Sequence, residues 1–78
     1  MTAPRLHVLI VDDIPESRLS LRDVVVSLGH HAVTVGDGAQ ALELVARQPP
    51  DVVLLDLLMP GLNGFEVARR IQIGRAHV

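Results

Sequence analysis

Residues 6–13, with the sequence LHVLIVDD, form an apolar, β-branched run that ends in two carboxylates. Only His7 interrupts its apolar character. A continuous apolar run of this length is typical of a strand buried on both faces, as in a parallel sheet covered by helices. Residues 6–11 are therefore predicted to be the first strand, with Asp12 and Asp13 at its carboxyl end.

The segment after this strand has the pattern of an amphipathic helix. Pro15 suits the first helical position, where its missing N–H is not needed, and Gly29 predicts the C-terminal stop. Apolar residues between them recur at helical spacing, which predicts one buried stripe. This stripe consists of Leu21, Val24, Val25 and Leu28.

Two further strands and a second helix follow in alternation. Residues 31–35 (HAVTV) and 51–56 (DVVLLD) predict strands, and the second of these again ends in a carboxylate. Asp37 and Gln40 resemble a capping box at the start of the second helix, which Pro49 and Pro50 terminate. The buried side of this helix is predicted to consist of Leu42, Val45 and Ala46.

A third helix is predicted after residues 58–64 (LMPGLNG), which are rich in turn formers. Its inward-facing residues would be Phe65, Ala68 and Ile71. The complete order is then β-α-β-α-β-α. Strands that alternate with helices in this way predict an α/β fold with a parallel sheet and right-handed crossovers.

The composition limits the classes of protein that the chain can belong to. Its 78 residues allow one small domain, and 49% hydrophobic residues argue against disorder. A net charge of −2 argues against nucleic-acid binding, and the lack of Cys excludes disulfides and thiolate sites. No apolar run approaches the roughly 20 residues of a membrane span. We therefore expect a soluble, cytoplasmic protein that does not bind membranes.

Three carboxylates lie at the carboxyl ends of the first and third predicted strands, namely Asp12, Asp13 and Asp56. If the first and third strands pair, these groups meet at the carboxyl edge, where open α/β sheets bind ligands. Crowded carboxylates repel one another unless a hard cation such as Mg²⁺ offsets their charge. A carboxylate beside such an ion can act as a nucleophile toward a phosphoryl group. The alternative is an exposed turn in which the Asp pair only caps a helix.

Residues 8–13 (VLIVDD) and 51–64 (DVVLLDLLMPGLNG) together resemble a response-regulator receiver domain of the CheY-like superfamily. The resemblance extends over residues 6–72. It implies a flavodoxin-like doubly wound parallel sheet, here truncated after the third β/α unit with strand order 2-1-3. It also implies a non-enzymatic role in a two-component system, with a histidine kinase or phosphotransfer protein as the partner.

The resemblance further implies a role for each matching residue. Asp56 would be the phosphoacceptor, and Asp13 would bind Mg²⁺ directly. Asp12 would bind the ion directly or through water. The implied metal site would comprise Asp12, Asp13, Asp56 and the backbone carbonyl of Leu58.

Some features of the family have no counterpart in this sequence. Receiver domains carry a Ser or Thr after the fourth strand and a Lys after the fifth, whereas this sequence contains no Lys. We therefore expect residues 6–72 to be an incomplete receiver domain without an output domain. The alternative function is an inert or interaction-only fragment that cannot switch.

Residues 73–78 (IGRAHV) form a tail in which Gly74 interrupts the helical pattern. One codon choice for this tail, ATC-GGA-AGA-GCA-CAC-GTC, spells part of a widely used sequencing-library adapter. We therefore expect these residues to be a non-native read-through, with a genuine but irregular tail as the alternative. The underlying nucleotides decide between the two, since other codons would refute the adapter interpretation.

Overall fold

The computed structural model describes residues 4–56, which form three strands and two helices in strict alternation. The elements are β1 (His7–Val11), α1 (Pro15–Ser27), β2 (His31–Val35), α2 (Gly38–Arg47) and β3 (Val52–Leu55). The predicted order is confirmed over this range, with boundaries that shift by one or two residues. Neither described helix is long and apolar enough to cross a membrane.

The three strands form one parallel sheet in the order β2-β1-β3, as predicted. β1 lies at the centre, where Val11 pairs with Val35 of β2 on one side and with Leu55 of β3 on the other. β1 is also the most buried element, because Leu9, Ile10 and Val11 are at most 1% exposed. The apolar run that opens the sequence is therefore the centre of the core.

The two helices cover opposite faces of the sheet, which makes the fold doubly wound. On one face, Val8 and Ile10 of β1 pack with Val25 of α1. On the other face, Leu9 and Val11 pack with Ala41 of α2. Alternate residues of β1 thus serve two different cores, which explains why its sequence is continuously apolar instead of alternating.

The predicted stripe of α1 is only partly correct. Val25 is 7% exposed and Leu21 is half-buried against the sheet. Val24 and Leu28, however, are 55% and 68% exposed. The helical spacing correctly predicts which side of α1 faces the sheet. Of the four residues in the stripe, however, only Leu21 and Val25 pack against the strands.

The predicted end of α1 is confirmed by its hydrogen bonds. Gly29 has a φ angle of +91°, a conformation that glycine adopts without a steric penalty. Its N–H donates to the carbonyl of Val26 at 2.9 Å, and the N–H of His30 donates to the carbonyl of Val25 at 3.2 Å. These two bonds form a Schellman motif, which satisfies carbonyls at the helix end.

The cap of α2 is confirmed with one difference. The amide of Gln40 donates to Oδ1 of Asp37 at 2.7 Å, as in a capping box. The side chain of Gln40, however, accepts from the N–H of Gly36 at 3.2 Å, one residue before the cap. Ala46 is exposed, contrary to prediction, and Ala41 takes the central buried position of the helix.

The remaining predictions lie outside the described residues. They concern the loop at 58–64, the third helix and the tail at 73–78.

Candidate functional site

The pairing of β1 with β3 brings the three predicted carboxylates together. Val11 and Leu55 are partners in the sheet, and the N–H of Asp56 donates to the carbonyl of Val11 at 3.0 Å. Asp12 and Asp56 therefore leave adjacent strands at the same level. Ligand oxygens of Asp12, Asp13 and Asp56 all lie within 4.8 Å of one another. The predicted convergence is confirmed.

Asp12 is held by the first turn of α1. Its side chain accepts two hydrogen bonds, at 2.9 Å from the amide of Ile14 to Oδ1 and at 2.6 Å from the hydroxyl of Ser17 to Oδ2. The residue is 6% exposed. The interpretation of the Asp pair as an exposed turn is therefore wrong for Asp12, although its side chain does bind the start of the helix.

These contacts lower the pKa of Asp12. The hydrogen bond from Ser17 lowers the pKa of Asp12 most, followed by the bond from the amide of Ile14. Burial acts in the opposite direction, and the nearby charge of Arg18 lowers the pKa further. The net result is a pKa below the ordinary value of 3.8, so the carboxylate keeps its charge to a lower pH than an unperturbed Asp does.

The other two carboxylates are more accessible than Asp12. Asp13 is exposed in the loop after β1, and Asp56 is half-buried directly after β3. The site thus contains one buried carboxylate with both oxygens in hydrogen bonds and two carboxylates nearer the surface. The backbone carbonyl of Leu58, the fourth predicted group, lies outside the described residues.

The donor set fits a magnesium ion. Mg²⁺ prefers oxygen ligands at about 2.1 Å, so opposite ligands of one ion lie about 4.2 Å apart. Three carboxylates whose oxygens lie within 4.8 Å of one another are close enough to share one such ion, directly or through a bound water. A positively charged ion would also offset the repulsion between them.

A cleft of about 260 Å³ adjoins the carboxylates. It lies at the carboxyl ends of β1 and β3, beside Leu21 of α1. Its lining consists of Val11, Asp12, Leu21, Leu54, Leu55 and Asp56. Asp56 therefore lies in the wall of this cleft.

Sequence reasoning missed two residues that contact the site. Ser17 donates to the side chain of Asp12, and Nη1 of Arg18 donates to its backbone carbonyl at 2.8 Å. A signal for both was present, because Pro15 at the first helical position places residues 17 and 18 in the first turn and a half of α1. That part of the helix follows directly after the Asp12–Asp13 loop.

Comparison with known proteins identifies the family of the chain. The family model described as "Response regulator receiver domain" matches residues 8–78. The DNA-binding response regulator MtrA of Mycolicibacterium smegmatis is 44% identical over 69 residues, which are 88% of this chain and 30% of that protein. Sporulation initiation phosphotransferase F of Bacillus subtilis is 38% identical over 66 residues, 85% of this chain and 53% of that protein.

Solved structures agree with the sequence relatives. The crystal structure of response regulator protein TrrA from Thermotoga maritima, in complex with Mg²⁺-BeF, superimposes with a TM-score of 0.86. Its sequence is 35% identical, and the match covers 88% of this chain and 60% of that one. This chain spans about half or less of the two curated relatives above. By its sequence and its fold, the chain belongs to the response regulator receiver domain family.

Proposed function

We propose that this chain acts as a cytoplasmic phosphoacceptor in a two-component system, with Asp56 accepting the phosphoryl group. The donor would be a phosphohistidine on a histidine kinase or a phosphotransfer protein. The observation that supports the proposal best is the meeting of three carboxylates at the carboxyl edge of the sheet. Asp56 is the one of the three that follows β3 and lines the cleft.

The proposed reaction is a transfer of the phosphoryl group between two side chains. A carboxylate oxygen of Asp56 attacks the phosphorus of the phosphohistidine and forms a P–O bond. The P–N bond breaks, its electron pair returns to the imidazole nitrogen, and that nitrogen takes up a proton. The product on this chain is an acyl phosphate.

Magnesium would offset the charge of the phosphoryl oxygens and of the carboxylates around them. We assign Asp13 as a direct ligand, because its carboxylate is exposed. For Asp12 we favour contact through water, since both of its oxygens already accept hydrogen bonds from the protein. Asp56 and the backbone carbonyl of Leu58 complete the proposed protein ligands.

Phosphoryl labelling of the chain tests this proposal. The chain is incubated with Mg²⁺ and either acetyl phosphate or a phosphohistidine protein, and the label is detected by intact mass. We expect a label that Asp56→Asn abolishes and that removal of Mg²⁺ with a chelator prevents. Asp51→Asn is the matched control, because Asp51 precedes β3 at the opposite edge of the sheet and should not affect labelling.

The alternative is an inert or interaction-only fragment that cannot switch. This fragment would keep the three carboxylates at the carboxyl edge of the sheet but would not accept a phosphoryl group. A folded sample without any label that depends on Asp56 would support the alternative. A label lost only in Asp56→Asn would exclude it.

A further inference from the structure

The guanidinium group of Arg18 lies between the two loops at the carboxyl edge of the sheet. Its Nη1 donates a hydrogen bond of 2.8 Å to the backbone carbonyl of Asp12, in the loop after β1. It also lies against Gly36, in the turn after β2, where an added Cβ would be 3.0 Å from Nη1. One half-buried side chain of α1 thus contacts both loops.

The carbonyl that Arg18 binds belongs to the peptide group between Asp12 and Asp13. A peptide group is planar, so a hydrogen bond to its oxygen also orients its N–H and the start of the next residue. On the other side of Asp12, its own N–H donates to the carbonyl of Val35 at 3.2 Å. The bond from Arg18 therefore controls the direction in which the chain continues into Asp13.

We propose that Arg18 is a positioning residue, which orients the Asp12–Asp13 peptide so that the Asp13 carboxylate is presented to a divalent cation. Gly36 provides the space that the guanidinium occupies. This inference rests on the proposed function, because it assigns a further residue to the same cation site.

The charge of Arg18 and its hydrogen bond have opposite effects on cation binding. A positive charge near the site repels a divalent cation, so its removal alone would raise the affinity. Loss of the hydrogen bond frees the Asp12–Asp13 peptide and lowers the affinity. Partners behind the ligands of a metal typically change affinity by about tenfold or more when they are removed. The sign of the effect therefore separates the two roles.

The first test measures Mn²⁺ binding to the whole chain by electron paramagnetic resonance of the free ion. We expect Arg18→Met to lower the affinity about tenfold and Arg18→Lys, which keeps the charge and one donor, to restore part of it. Arg22→Met is the matched control. Arg22 lies one turn further along α1, is exposed and pairs with Asp23 at 3.4 Å.

Gly36→Ala provides a second test that leaves every charge in place. Its Cβ must displace the guanidinium by a few tenths of an ångström, so we expect a smaller loss of Mn²⁺ affinity than in Arg18→Met. NMR of the metal-free chain adds a direct readout of the bond. The carbonyl ¹³C shift of Asp12 should change in Arg18→Met and in Gly36→Ala, and it should stay unchanged in Arg22→Met.

The outcomes separate this inference from the proposed function. If the parent chain shows no Mn²⁺ binding that depends on Asp13, the proposed cation site fails and the inference fails with it. If the parent binds Mn²⁺ in this way while Arg18→Met binds it equally well or better, only the positioning role of Arg18 is overturned. An unchanged carbonyl shift of Asp12 in Arg18→Met also overturns that role.

Discussion

The hydroxyl of Ser17 donates a hydrogen bond of 2.6 Å to Oδ2 of Asp12 and so joins the first turn of α1 to the carboxyl end of β1. The same carboxylate accepts from the amide of Ile14 at 2.9 Å. The residue that is buried deepest at the candidate site is thus also an anchor of the following helix. Substitutions at this contact should change both the stability of the fold and the acid pH at which Asp12 loses its charge.

Removal of the Ser17 hydroxyl should destabilise the fold. In Ser17→Ala, the buried carboxylate of Asp12 loses one of the two hydrogen bonds that it accepts, so we expect the free energy of unfolding to fall by about 1 kcal/mol. Urea unfolding at neutral pH measures this loss. Ser20→Ala is the matched control, because Ser20 is exposed on the same helix. Equal stability of the two variants would contradict the prediction.

The lowered pKa of Asp12 predicts how stability depends on pH. Because its pKa in the folded chain lies below the ordinary 3.8, the unfolded chain binds more protons between the two values. The contribution of Asp12 to stability is therefore fully present above the ordinary value, and it is lost as the pH falls through the folded one. Urea unfolding from about pH 6 to about pH 2 measures this acid loss.

Asp12→Asn should show a shallower acid loss of stability than the parent chain, because it cannot titrate at this position. Ser17→Ala should lie between the two, since it removes the contact that lowers the pKa of Asp12 most. Parallel pH profiles in all three proteins would show that the acid dependence comes from other groups.

The architecture of the described residues could be predicted because simple patterns determine it. The continuous apolar run of β1 indicated a strand with helices on both faces, and Leu9, Ile10 and Val11 are indeed almost fully buried. The convergence of the carboxylates followed from the same patterns, since Asp12 and Asp56 each end an apolar strand. Once β1 and β3 pair in parallel, their carboxyl ends must meet.

Polar contacts and the extent of burial could not be predicted in this way. Hydrophobic periodicity assigns no partner to Ser17 or Arg18, because it does not describe where a polar side chain on a helix points. It also cannot tell how much of the apolar side of α1 the strands beneath it cover. For this reason the periodicity predicts one buried stripe that contains both Val24 and Val25, although only Val25 is buried.

Adjacent valines on α1 should therefore respond very differently to truncation. Val25 is 7% exposed and packs against Val8 and Ile10, so Val25→Ala should lower the free energy of unfolding by about 2 kcal/mol. Val24 is 55% exposed, and Val24→Ala should change it by less than about 0.5 kcal/mol. Both variants make the same chemical change on the same helix, so each controls for helix propensity in the other. Equal losses in urea unfolding would show that Val24 is also buried in solution.

A substitution at Gly29 isolates the backbone term at the end of α1. Its φ angle is +91°, and an added Cβ would meet no atom within 4 Å, so Gly29→Ala creates no clash with a neighbour. The expected loss of about 1 kcal/mol in the free energy of unfolding comes from placing an L-residue in a left-handed conformation. Gly29→Asn should lose less, because Asn tolerates this region better than Ala does. Urea unfolding of the three proteins should therefore rank them Gly, Asn, Ala in decreasing stability, and an Ala variant as stable as the parent would contradict the Schellman geometry.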